Sequence, residues 1–146
     1  MIIAIDAGVR KCGVAMFSED GVLLGAYTVM NPERILRGVV AWRSMVDAVY
    51  STIMAPDLLV IETMQSDGRV ITDALDVQLV AGMIIGRSSC AVITYTPRQW
   101  KGQVPKSATI ARIKQDLTPA ELRQIDKKAT HDAFDAIGIG RYYFSN

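Results

Sequence analysis

Four carboxylates, Asp6, Glu62, Asp132 and Asp135, have a joint arrangement that could do chemistry. Asp6 follows Met1-Ile2-Ile3-Ala4-Ile5 and Glu62 follows Leu58-Leu59-Val60-Ile61, so each ends a short apolar run of the kind that forms a buried strand. Asp132 and Asp135 are three residues apart in a segment with helical patterning, which puts both on one helix face. If the strands of Asp6 and Glu62 lie side by side and parallel, their carboxylates emerge at the same end of a sheet. Acids brought together in this way repel one another unless a cation sits among them. Mg²⁺ and Mn²⁺ suit such a set because they are hard cations that take oxygen ligands, whereas zinc would favour His and Cys. Two such ions about 3.5–4 Å apart lower the pKa of a bound water and stabilise the attacking and leaving oxygens of a phosphodiester displacement. Phosphodiester hydrolysis is therefore the chemistry these residues favour. Taken singly, each acid has an ordinary alternative: Asp6 as a turn residue, Asp132 as an early-turn acid favoured by the helix dipole. Their joint arrangement makes the case.

The elements that must carry these acids can be read from the patterning. Apolar runs at residues 1–6, 12–17 and 22–27, separated by Gly-containing turns, predict a three-stranded antiparallel meander. A helix is expected from Pro32, with Asn31 as its cap, because apolar residues recur at Ile35, Leu36, Val39, Trp42, Met45, Val46, Val49 and Ile53. Pro56-Asp57 ends it, and residues 58–61 form a strand buried on both faces. A polar loop follows, then a second helix over 72–87 and a fifth strand over 91–95. Thr96-Pro97 opens a helical turn, residues 102–105 form a loop, two short helices span 106–115 and 119–125, and a final helix spans 130–143. The order βββαβαβ with trailing helices predicts an α/β fold: a mixed five-stranded sheet, three antiparallel strands then two parallel, flanked by helices. The 146 residues suit a single domain, 1–146, that buries its own core.

Ile3-Ala4-Ile5-Asp6-Ala7-Gly8, Val60-Ile61-Glu62 and His131-Asp132-Ala133-Phe134-Asp135-Ala136 resemble, in order and spacing, the three acidic motifs of RuvC-type Holliday junction resolvases. Thr96-Pro97, followed by Lys101 and Lys106, is similar to that family's stretch between its fifth strand and C-terminal helices, so the resemblance spans nearly the whole chain. It implies an RNase H-like fold and a Mg²⁺-dependent endonuclease, with Mn²⁺ substituting and two ions per site, that cuts four-way DNA junctions as a symmetric dimer. Asp6, Glu62, Asp132 and Asp135 would then be catalytic metal ligands, with Lys101 and Lys106 near the scissile phosphate. The resemblance also implies a homodimer interface on the second helix, where Gly82 and Gly86 allow close backbone approach and Leu75, Leu79, Val80, Met83 and Ile84 supply apolar surface. Packing of that helix on the sheet alone is the other reading. Two departures stand out. The connection Gly102-Gln103-Val104-Pro105 is compact and resembles phage-encoded members, and Thr63-Met64-Gln65-Ser66 offers only Met64 where family members often carry a junction-inserting aromatic.

The remaining signals concern substrate and compartment. Sixteen Lys and Arg against fifteen Asp and Glu leave a net charge of +1, so overall charge does not argue for a polyanionic partner. The cations do cluster locally, at Arg98, Lys101, Lys106, Arg112 and Lys114. Arg69 and Arg98 are candidate contacts to a nucleic-acid backbone, alongside Lys101 and Lys106, although loop lysines are as often simply solvated. His131 reads as a helix-start residue before it reads as a proton carrier. Trp42 falls on an apolar helix face and reads as core, while Trp100 could equally stack on bases. Cys12 and Cys90 lack metal-ligand or C-x-x-C spacing and read as reduced thiols. No basic leader precedes the first strand and no apolar run reaches the ~18 residues of a membrane span, so a cytoplasmic protein is expected. Two further readings share these residues: an RNA-processing nuclease resembling YqgF-type proteins or a flap-cutting nuclease, and a non-catalytic DNA-binding protein. A kinase of the actin-like group would need a second domain and phosphate loops that this chain lacks.

Overall fold

Alternation along two strands decides the architecture. In β1 (Ile2–Asp6), Ile3 and Ile5 join one buried cluster while Ile2 and Ala4 join another. In β4 (Leu58–Glu62), Leu59 and Ile61 divide from Val60 in the same way. Strands apolar on both sides need a layer of helices over each face. The computed structural model, which describes residues 1–33, 38–64 and 72–146, has that three-layer form.

The sheet also contains β2 (Lys11–Phe17), β3 (Leu23–Met30) and β5 (Ala91–Tyr95), in the order β3-β2-β1-β4-β5. β1 pairs antiparallel with β2, and β2 with β3; β1 pairs parallel with β4, and β4 with β5. This is the expected mixed sheet. On one face, α1 (Val39–Thr52) contributes Met45, Val46 and Val49, and α2 (Thr72–Arg87) contributes Val80, Ala81 and Ile84. On the other, α4 (Lys106–Asp116) contributes Ile113 and α6 (His131–Phe144) contributes Ala136, Ile137 and Ile139, packed on Ala15, Phe17 and Val60. Two single turns complete the chain, α3 (Pro97–Trp100) and α5 (Pro119–Leu122), both opened by a Thr-Pro pair with a capping box. Among the described residues no helix is long and apolar enough to cross a membrane.

The structure corrects three boundaries. α1 begins at Val39 rather than Pro32, because Gly38 precedes it with φ 66°, outside the right-handed helical region. Asn31 is not its cap; its buried amide donates to the carbonyls of Val9 and Ala41, both at 2.8 Å, and its oxygen accepts from the Glu33 N–H at 2.9 Å. Ile35 and Leu36, expected on this helix, lie outside the described residues. β3 runs on past Tyr27 to Met30, since Thr28 and Val29 are β-branched and pair with Gly13 and Cys12. The helix expected over 119–125 stops at Leu122, and Ile125 instead makes a parallel bridge to Ala26 on the β3 edge.

A polar clasp fixes that C-terminal region. Glu121, 6% exposed, accepts from the Leu23 N–H at 2.9 Å and from Arg141 at 2.6 Å, and Arg141 also donates to the Gly21 carbonyl at 2.8 Å. Burial alone would push the Glu121 carboxyl up. The N–H groups of Leu23 and Thr118, the Thr118 hydroxyl and the Arg141 guanidinium together bring it down to about 2.

Candidate active site

Asp6 and Glu62 are brought together by strand register. β1 and β4 pair in parallel up to Ile5 and Ile61, so the next residue on each strand is one of the two acids, and both stand at the same sheet edge. On its other side Asp6 pairs with Gly13 of β2. Gly13 is where α6 comes down onto the sheet: a Cβ there would lie 1.8 Å from the Asp132 carbonyl oxygen and 2.8 Å from the Ala133 nitrogen. Only a glycine admits this approach, and it sets the first turn of α6 beside Asp6. Asp132 and Asp135 then follow from helical spacing, with Asp135 only 3% exposed.

The electrostatics record the convergence. Asp6 keeps a strip of exposed surface, yet the protein packed around its carboxyl pushes its pKa well above the ordinary aspartate value. Glu62, Asp135 and Asp132, in that order, push it further, and Lys101 opposes them. The strand acids and the helix pair thus share one field. Glu62 is also raised, first by burial and with Asp135 adding, while Lys101 and the Trp100 indole hold it down. Trp100 Nε1 donates to Glu62 Oε2, and Lys101 Nζ lies 3.7 Å from that same oxygen and 3.6 Å from Asp135 Oδ2. Asp132 is held on both sides: His131 Nε2 lies 3.0 Å from its Oδ1, and the Thr130 hydroxyl donates to its Oδ2. The Thr130 N–H in turn donates to Thr28 Oγ1 at 2.9 Å, tying the α6 start to β3.

The donor set is all oxygen, drawn from two strands and one helix, and it fits a hard divalent cation. Among the described residues, however, no three acid, His or Cys side chains stand at coordination distance from a common point. Among the described residues the Lys101 ammonium bridges Glu62 and Asp135 and marks where positive charge is wanted.

The other candidate residues are more dispersed. Arg98 is exposed on α3 and lines an open depression with Met64, Thr96 and Gln99. Lys106 opens α4 and is described by its backbone alone, and Arg69 lies outside the described residues. Gly82 and Gly86 face open space, on the side of α2 where Leu75 and Leu79 are exposed, while Val80 and Ile84 pack inward. Trp42 packs against the core on its helix face, as its spacing predicts. Trp100 is half-buried against α6 and holds Glu62. His131, read as a helix-start residue, does open α6 and also pairs with Asp132. Sequence reasoning missed the roles of Trp100, Thr130 and Gly13. A glycine inside an apolar strand signals a close backbone approach and could have flagged Gly13. Nothing in the spacing pointed to the indole of Trp100.

No family model and no curated protein gives a match to this sequence. Solved structures do. The chain is similar to Thermus thermophilus RuvC in complex with a Holliday junction substrate, with a TM-score of 0.66 at 16% identity over 98% of this chain and 92% of that one. It is likewise similar to the fowlpox virus resolvase in complex with Holliday junction DNA, with a TM-score of 0.60 at 17% identity over 99% of both chains. The chain, with its mixed five-stranded sheet covered by helices on both faces, has the RNase H-like fold and shares it with these two solved proteins.

Proposed function

We propose that this chain is a divalent-metal-dependent endonuclease that cuts phosphodiester bonds in branched DNA and resolves four-way junctions by paired symmetric nicks. One observation carries the reading: the Asp6 carboxyl feels Glu62, Asp132 and Asp135 together, although the four come from β1, β4 and α6. A fold gains no stability from gathering buried like charges, and such gatherings mark functional sites. The fold shared with proteins solved on Holliday junction DNA narrows the substrate.

Asp6, Glu62, Asp132 and Asp135 are the residues to hold Mg²⁺ or Mn²⁺, two ions per site. Bound there, the ions supply a low-pKa water and charge stabilisation for the phosphoryl transition state. The chain's own residues do the positioning. Trp100 fixes the Glu62 carboxylate, and Thr130 and His131 fix Asp132. Lys101 and Lys106 contact the phosphate being cut, and Arg69 and Arg98 contact the flanking backbone. Paired nicks need two copies of the site related by a two-fold axis. The stripe Leu75, Leu79, Gly82 and Gly86 runs at steps of four, three and four along the exposed side of α2 and suits a homodimer contact.

The test incubates purified protein with Mg²⁺ or Mn²⁺ and end-labelled four-way junctions, flaps, forks and RNA hybrids, comparing wild type with Asp6→Asn, Glu62→Gln and Asp135→Asn. Symmetric cutting of the junction by wild type and its loss in all three variants is the expected result. Undiminished cutting by the variants rejects the site, and preference for flaps or RNA rejects the substrate. Sedimentation of wild type and Leu79→Lys checks the dimer, which the charge should split.

A further inference from the structure

Lys101 stands apart from the other cations near the site. Its Nζ is within 3.7 Å of Glu62 Oε2 and 3.6 Å of Asp135 Oδ2, and it lies 4.7 Å from the centre of the Trp100 ring. The neighbouring indole N–H donates to the same Glu62 oxygen. We infer that Lys101 is the resident counterion of the acid cluster and that a divalent cation binds by displacing it, with Trp100 staying behind to hold Glu62.

The inference rests on the metal-dependent reading above, and three structural features support it. First, the ammonium touches acids from two different elements, β4 and α6, so it neutralises the seam where they meet. A divalent ion bound to Glu62 and Asp135 would stand within a few ångströms of that ammonium, and like charges so close in a partly buried site repel strongly. Second, the two partners of Glu62 differ in freedom. Trp100 is wedged against α6, where a Cβ at Gly138 would sit 2.4 Å from its ring, so the indole is fixed. Lys101 is the residue just past α3, followed by Gly102 at φ 61° with nothing packed on it, and its four-carbon stem can turn outward. Third, the Trp100 ring gives the ammonium a cation–π contact where it now stands, so one indole holds both Glu62 and the counterion beside it. Once outward, the same charge is free to meet a phosphate oxygen. Metal loading and phosphate contact are thereby coupled through one side chain.

The experiment measures Mn²⁺ binding without DNA, from the free-ion electron paramagnetic resonance signal, in wild type, Lys101→Met and Lys101→Arg. Lys101→Met keeps the stem and removes the charge, so it should bind Mn²⁺ more tightly, by on the order of tenfold. Lys101→Arg keeps a cation and should bind no more tightly than wild type. A second readout uses Trp42→Phe protein, in which Trp100 is the sole tryptophan. Its emission should change as Mg²⁺ is added, and the change should shrink when Lys101→Met is added to that background. Circular dichroism checks folding, and Lys101→Gln provides the same comparison if the Met variant fails to fold. Binding by Lys101→Met that is equal to or weaker than wild type, with an undiminished Trp100 response, overturns the counterion role and leaves the metal-dependent reading standing. Absence of Mn²⁺ binding in every protein, wild type included, overturns both.

Discussion

The seat of α6 on Gly13 predicts that Gly13→Ala damages stability and cutting together. The added methyl would start 1.8 Å from the Asp132 carbonyl oxygen and 2.2 Å from its carbon. Real Cβ contacts do not fall below 3.0 Å, so helix and strand must separate by about 1.2 Å, and both partners are backbone with no flexible end to give. Overpacking of this kind costs about 1–3 kcal/mol. For a chain of this size that lowers the melting temperature by roughly 2–4 °C per kcal/mol, or about 2–12 °C in all. The effect on activity is larger. A shift near 1 Å moves Asp132 and Asp135 away from Asp6 and Glu62, and displacements of that size in an active site cost on the order of 100-fold in rate. Thermal unfolding and junction cleavage at saturating Mn²⁺ read the two consequences in one preparation. A Gly13→Ala protein that melts within a degree of wild type and cuts at full rate would refute the close seating, and with it the account of how the helix acids reach the strand acids.

Two further perturbations follow from buried charge. Asp6→Asn should abolish cutting yet raise the melting temperature measured without divalent cations by a few degrees. The folded carboxyl is pushed above its ordinary pKa, so the charged form is disfavoured by the fold at every pH above the unfolded value, and a neutral isostere removes that penalty. A lower melting temperature would contradict it. For Glu121 the sign is opposite: its folded carboxyl sits at about 2, below the unfolded glutamate value, so its contribution is complete above about pH 4.5 and fades as the pH falls towards 2. Its worth is on the order of 2–3 kcal/mol. Urea unfolding at pH 7 and pH 3 should show a little over half of that loss in wild type and little of it in Glu121→Gln.

Short uninterrupted apolar runs identified β1 and β4 as strands, and that of β4 as one covered on both sides, because such a run has few other stable solutions. The acids ending those runs were legible for the same reason: a charge is costly inside such a strand and is tolerated where the sheet meets solvent. The i, i+3 spacing of Asp132 and Asp135 needed only helix geometry. Other features depended on long-range contacts. Asn31 reads as a helix cap until Val9 and Ala41 are seen to present their carbonyls to its amide. Ile125 reads as the end of a helix until the β3 edge offers it a bridge. Trp100 reads equally as core or as a base-stacker until α6 is found lying over it, one turn past Asp135. In each case the deciding partner is distant in sequence, and local propensity carries no record of it.

The clasp and the acid cluster sit on α6 with opposite effects on stability. Asp132 and Asp135, in its first turns, face Asp6, whose carboxyl the fold pushes well above the ordinary aspartate value. Arg141, in its last turn, is anchored by Glu121 and the Gly21 carbonyl, which makes that end strongly favourable at neutral pH. Between them Ile137 and Ile139 are fully buried, and Gly140 lies so close to Phe17 that a Cβ would stand 2.2 Å from its ring. A helix fixed along its middle and far end cannot relieve repulsion at its start by sliding away. The acids therefore stay together at a distance set by packing, and among the described residues the Lys101 ammonium lies across two of them, where an ion could replace it.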